Sequence, residues 1–187
     1  MKLTWQVANE TVEEKQKRLK ETGQTQEDQI IDLLTKFRAV GVNEISFTGG
    51  EFFAMNNADK VLKACKDKSF KTSVTTSADF MTPAKFDLVK NDLSQITFRL
   101  DSVNNYKQSN GKETYLTRLV KMVEHINQVE PGYPIEVNSI ICKENLCYLL
   151  GMARELELLH INKWNLFELS NVSVSQNENR KKTTISS

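Results

Sequence analysis

The sequence predicts an α/β fold built on parallel strands. Short runs of β-branched and aromatic residues alternate with longer stretches whose apolar residues recur at helical spacing. A helix-length segment separates each run from the next, as parallel pairing with right-handed crossovers requires. The six candidate strands are residues 3–7, 44–48, 71–75, 95–100, 135–141 and 163–169, in the order β(αβ)5. Six strands fall short of a closed eight-stranded barrel. An open partial barrel and a doubly wound sheet both satisfy the pattern, and both gather ligand chemistry at the C-terminal ends of the strands.

Each element has a local reason. Leu3-Thr4-Trp5-Gln6-Val7 alternates with period two, as a strand should. Residues 27–40 set Ile30, Ile31, Leu33, Leu34 and Phe37 on one helical stripe, and Gly41 stops it. Residues 57–66 carry Val61, Leu62 and Cys65 in the same manner. Thr82 is placed to N-cap a helix with Pro83 at its first position, running to about Lys90. Residues 114–128 align Leu116, Leu119, Val120, Val123 and Ile126, and residues 145–158 align Leu149, Leu150, Ala153 and Leu156. Residues 1–169 thus read as one domain, while residues 170–187, without aromatics and rich in Ser, Asn, Lys and Thr, read as a mobile tail.

Composition narrows the function. The 187 residues include 25 Lys+Arg and 24 Asp+Glu, a net charge of +1, which calls for neither nucleic acid nor an anionic membrane as partner. No apolar run approaches the roughly 18 residues of a membrane span. The opening Met1-Lys2-Leu3-Thr4-Trp5 lacks the apolar region of a signal peptide. The cysteines Cys65, Cys142 and Cys147 are odd in number, which argues against a disulfide scaffold and for a reducing, cytoplasmic setting.

Polar residues sit at the strand ends. Thr48-Gly49-Gly50-Glu51 follows the second strand: adjacent glycines admit a ligand close to the backbone, and a carboxylate beside them accepts hydrogen bonds from an ammonium group. Thr75-Thr76-Ser77-Ala78 ends the third strand, Asp101-Ser102 follows the fourth and Asn138 lies on the fifth. Each alone reads more readily as a turn or a helix cap.

Together, the runs Phe47-Thr48-Gly49-Gly50-Glu51, Val74-Thr75-Thr76-Ser77, Phe98-Arg99-Leu100-Asp101-Ser102 and Val137-Asn138-Ser139-Ile140-Ile141 resemble the radical S-adenosylmethionine (radical SAM) superfamily. Residues 3–7 resemble that family's first strand, and Trp164-Asn165-Leu166-Phe167 its sixth. The resemblance covers about residues 1–169. It implies a partial (βα)6 TIM-like barrel with S-adenosylmethionine (SAM) at the C-terminal mouth, held by Gly49, Gly50, Glu51, Thr76, Asp101, Ser102 and Asn138.

The resemblance breaks at the loop after the first strand. In the family, three thiolates of a Cys-x3-Cys-x2-Cys loop hold a [4Fe-4S] cluster there. Aligned without gaps, the three positions fall on Thr11, Lys15 and Arg18, none of which ligates iron in that way. The segment instead reads as a helix, with Thr11 and Glu14 forming a capping box and Glu13–Lys17 and Glu14–Arg18 spaced as i, i+4 pairs. The spacing of Cys65, Cys142 and Cys147 matches no cluster motif, and His125 and His160 lie far apart. Phe52 stands where the family has proline, Arg99 where it has a small hydroxyl residue, and Lys107 only loosely matches a family arginine.

These departures lead to the expectation of a cluster-less domain, leaning away from radical SAM catalysis, with no metal and no assigned catalytic residue. Such a pseudoenzyme would bind a peptide or protein partner. It would retain only weak SAM or nucleoside binding at the barrel mouth, because the iron that anchors the amino acid end of SAM in the family is missing. A millimolar dissociation constant is worth only about 4 kcal/mol. The alternatives are an active radical SAM enzyme with an unrecognised cluster site, and another βα-barrel enzyme using Glu51, Asp101 and a lysine such as Lys143.

Overall fold

A computed structural model describes residues 1–7, 11–49, 51–101, 115–143 and 145–168. The strands are β1 (Lys2–Val7), β2 (Glu44–Gly49), β3 (Lys71–Thr76), β4 (Gln95–Arg99), β5 (Ile135–Ile141) and β6 (Lys163–Glu168), in the sheet order β1-β2-β3-β4-β5-β6. The helices are α1 (Val12–Thr22), α2 (Gln26–Ala39), α3 (Ala58–Asp67), α4 (Pro83–Val89), α5 (Tyr115–Val129) and α6 (Leu149–Leu158). The proposed tail, residues 170–187, lies outside the described residues. None of the described helices is long and apolar enough to cross a membrane.

Two compact units divide the chain, Met1–Thr97 and Phe98–Ser187. In the first, β1 pairs parallel with β2 and β2 with β3; Trp5 faces Phe47, which is two residues from Ile45 opposite Thr72. Alternation sets Ile45, Phe47 and Val74 on the buried face, where the Trp5 ring meets Phe37 of α2 edge-on at 5.8 Å. The other face is polar: Ser46 and Ser73, directly opposite, share a hydroxyl hydrogen bond of 2.6 Å. Ala58, Val61, Leu62 and Cys65 form the buried stripe of α3, at the i, i+3, i+4, i+7 spacing of an amphipathic helix. Gly41 ends α2 with φ 84°, a left-handed conformation that side-chain-bearing residues resist. Thr82 caps α4 as its sequence position predicts, accepting from Lys85 N at 3.3 Å, with Pro83 in the first turn.

The second unit holds the end of β4 with β5 and β6, the latter two parallel, with Asn138 opposite Asn165. Leu119, Met122, Val123 and Ile126 of α5 and Met152 and Leu156 of α6 are buried, as are Phe98, Ile135 and Val137 of the strands. Trp164 Nε1 donates to Ser139 Oγ at 2.9 Å, and Ser139 Oγ donates to Leu100 O, so a buried hydroxyl is satisfied on both sides.

Burial also sets the reactivity of the cysteines. Desolvation pushes the Cys65 thiol from 9.0 up to about 12, against a smaller lowering contribution from Thr72. Above pH 9 the unfolded chain releases this proton and the folded chain keeps it, so this group costs stability as pH rises toward 12. Cys147 is exposed and Cys142 half-buried. With a chromogenic disulfide at pH 8, the native chain is expected to show a fast phase that Cys147→Ser removes, and Cys65 is expected to react only after denaturation. A native-state reaction of Cys65 would contradict its burial.

Candidate functional site

The glycine-rich turn after β2 is built from both ends. Gly49 closes the strand at φ 97°, a conformation only glycine adopts without strain. Gly50 lies outside the described residues. Glu51 then leads into a short 3-10 turn, Phe52–Ala54, closed by Ala54 N donating to Glu51 O at 3.0 Å. Phe52, the residue that departs from the family's proline, is fully buried, its ring 4.7 Å from that of Phe47 and 5.3 Å from that of Phe53. It is therefore a core plug beneath the turn.

Glu51 itself is half-buried and fixed by the end of β3. Thr76 Oγ1 donates to Glu51 Oε2 at 3.0 Å, and the backbone N–H of Ser77 donates to the same oxygen at 3.2 Å. Neither bond uses Oε1. Among the described residues the carboxylate thus keeps one oxygen available to accept from a cation. Thr76 is 1% exposed and acts here as the support of Glu51. Ser77 was not among the expected site residues; its contribution is a backbone N–H, which residue identity does not announce.

The second unit carries its own polar group. Asp101 Oδ1 accepts from Ile140 N at 3.0 Å, and Asp101 O accepts from Asn145 Nδ2 at 2.6 Å. Asn145 is 3% exposed, donates also to Ile140 O at 2.7 Å, and accepts from Cys142 N at 2.9 Å. It joins the ends of β4 and β5, and the sequence signalled it only as a polar residue before an apolar helix. Asn138 Oδ1 accepts from Asn165 Nδ2 at 2.9 Å, and Asn165 Nδ2 reaches Glu136 Oε2 at 3.1 Å. Arg99 is exposed, and its carbonyl accepts from Tyr115 Oη at 2.6 Å. Lys143 is exposed. Ser102 and Lys107 lie outside the described residues.

The segment after β1 is the helix its sequence predicts. Thr11 caps α1: Glu14 N donates to Thr11 Oγ1 at 3.2 Å and Thr11 N donates to Glu14 Oε2 at 2.8 Å. Lys15 and Arg18 follow on the helix.

Comparison with known proteins decides the family. The radical SAM superfamily model matches residues 9–142, more than half of the sequence. The chain belongs to the radical SAM superfamily. It is 24% identical over 165 residues to an S-adenosylmethionine-dependent nucleotide dehydratase of Lacinutrix mariniflava, covering 84% of this chain and 34% of that protein. It is 27% identical over 119 residues to a GTP 3′,8-cyclase of Clostridium botulinum, covering 62% of this chain and 37% of that protein. The chain thus spans about a third of the length of these curated relatives. Among solved structures, Streptococcus suis SuiB matches with a TM-score of 0.64 at 19% identity, over 79% of this chain and 34% of that one. SuiB bound to S-adenosylmethionine matches with a TM-score of 0.64 at 17% identity, over 84% and 36%. The fold class is therefore the expected one, α/β with six parallel strands in a partial (βα)6 TIM-like barrel.

One expectation is overturned. The leaning away from enzymatic chemistry rested on three residues of one loop, whereas the likeness extends through the strand ends of residues 9–142 and reaches proteins named as enzymes. Thr11, Lys15 and Arg18 offer a hydroxyl, an ammonium and a guanidinium, and iron in such clusters takes thiolate sulfur. These residues do not fit a [4Fe-4S] cluster.

Proposed function

We propose that this chain is the SAM-binding part of an enzyme that acts on a nucleotide. The geometry of Glu51 carries the reading: a half-buried carboxylate beside a left-handed glycine, held on Oε2 by Thr76 and Ser77. Such a group accepts from the ammonium of an amino acid moiety, and the charge-assisted bond is about twice as strong as a neutral one. Gly49 keeps the backbone low enough for the ligand to approach. Bound SAM would supply a sulfonium whose carbon–sulfur bonds are weakened toward cleavage or transfer. Thr76 and Ser77 keep the carboxylate from rotating, so the ordering cost is met before the ligand arrives. The nucleotide as substrate class is supported by relatives named as nucleotide dehydratase and GTP cyclase.

Calorimetry on the purified chain tests the SAM reading. SAM is expected to bind with a dissociation constant of about 1 mM or lower. Glu51→Gln keeps an oxygen for Thr76 and Ser77 and removes only the charge, so it is expected to weaken binding about tenfold, ~1.4 kcal/mol. Absence of saturable binding, or equal binding by the variant, would refute it. The nucleotide part is read separately, by calorimetry with GTP on the same chain: saturable binding is expected, and its absence would refute that part.

A further inference from the structure

The two faces of the β5–β6 pair differ. On one, Ile135, Val137 and Ser139 are buried. On the other, Glu136 and Asn138 are half-buried and Ile140 is exposed, and they stand opposite Lys163, Asn165 and Phe167 in turn. Alternation along each strand keeps these six side chains on one face. The face opens with an ion pair, Lys163 Nζ 3.7 Å from Glu136 Oε1, continues through two amides, and ends on an apolar pair, Ile140 and Phe167, 41% and 52% exposed.

The carboxylate fixes how the amides lie. Glu136, paired with Lys163, only accepts, so the Asn165 atom 3.1 Å from its Oε2 is the donor Nδ2. The same Nδ2 donates to Asn138 Oδ1 at 2.9 Å, which uses both of its hydrogens. Asn165 Oδ1 and Asn138 Nδ2 are left, and among the described residues neither has a hydrogen-bond partner. Neither is sealed from a ligand: among the described residues, the buried side-chain polar atom without a partner is Thr72 Oγ1. An open acceptor and an open donor thus lie side by side, next to an open apolar pair.

We propose that this face reads the base of a nucleotide, with Phe167 and Ile140 against the ring and the Asn138–Asn165 pair on its edge; this rests on the nucleotide reading above. Nucleobases present donors and acceptors side by side along their edges, a pattern that amide side chains match, and their faces stack on aromatic rings. The amide row and the apolar row are two residues apart along the strands, about 6.6 Å, so one ring system reaches both. A sugar or a phosphate would leave Phe167 and Ile140 in water. A purely apolar ligand would cover the two amide groups without pairing them, at a desolvation cost.

The test is calorimetry of the full chain with GTP, inorganic triphosphate and SAM, triphosphate being the probe without a base. GTP is expected to bind more tightly than triphosphate. Phe167→Ala is expected to weaken GTP binding about tenfold, the loss of one base stack, and Phe167→Tyr to preserve it. Asn165→Leu removes the acceptor and releases Asn138, and is expected to weaken GTP by a similar factor. Phe167→Ala should leave triphosphate and SAM binding unchanged, and an unchanged urea midpoint confirms that this half-exposed position is not needed for folding. GTP affinity indifferent to both Phe167→Ala and Asn165→Leu overturns the proposal and leaves the nucleotide reading standing. SAM binding that falls in step with GTP assigns the face to the base of SAM, which also overturns it. Lack of saturable GTP binding by the wild-type chain refutes the nucleotide reading, and this inference with it.

Discussion

Phe52→Ala is expected to destabilise the chain by about 3–5 kcal/mol, the range for a buried aromatic truncated to alanine. The side chain is fully buried within a run of rings: Trp5 lies 6.2 Å from Phe47, Phe47 4.7 Å from Phe52, and Phe52 5.3 Å from Phe53. The loss has two parts, apolar area returned to water and ring contacts of about 0.5–1.5 kcal/mol per pair. The turn should loosen with the core, because Met55 N donates to Phe52 O at 3.1 Å and Ala54 N to Glu51 O at 3.0 Å. SAM affinity is therefore expected to fall in this variant without any change to Glu51. Phe52→Leu, which leaves a smaller void, should lose less in urea denaturation and keep more of the binding. A penalty below about 1 kcal/mol for Phe52→Ala would mean that the site closes around the void.

The elements were legible because their signals are local. The α3 stripe, the Thr11 and Thr82 caps and the alternation of β2 each depend on residues within one or two turns of one another. The strand-end motifs were legible as a set, and Glu51 is the member on which the proposed SAM site rests. What stayed hidden is non-local. Asn145 reaches Asp101 across 44 positions, and Thr76 reaches Glu51 across 25; no periodicity encodes either contact. Phe52 was read only as a departure from a motif, since a motif records what surrounds a ligand and not what packs beneath it. The Thr11–Lys15–Arg18 face was legible as a loss of thiolates. That this face lines a groove needed α2 and the turn after β2 beside it.

Asn145→Ala should be the most damaging polar substitution in the second unit, at about 2–4 kcal/mol. The amide makes three hydrogen bonds: Nδ2 donates to Asp101 O at 2.6 Å and to Ile140 O at 2.7 Å, and Oδ1 accepts from Cys142 N at 2.9 Å. Truncation leaves two carbonyls and one N–H without this partner, and each buried orphan costs about 1–3 kcal/mol, less where water enters. Asn145→Asp separates hydrogen bonding from volume. It keeps the shape and the acceptor for Cys142 N but turns a carboxylate oxygen toward two carbonyl oxygens. That environment disfavours the charged form, so the new carboxylate titrates above its unfolded value. The folded variant then binds a proton the unfolded chain has released, and its stability rises as pH falls through that interval. Protonation also restores one donor to the carbonyl pair. Urea midpoints at pH 7 and pH 5 should therefore show Asn145→Asp recovering relative to wild type on acidification, while Asn145→Ala keeps a constant deficit. Parallel behaviour of the two variants would show that the volume of Asn145, and not its hydrogen bonds, joins the ends of β4 and β5.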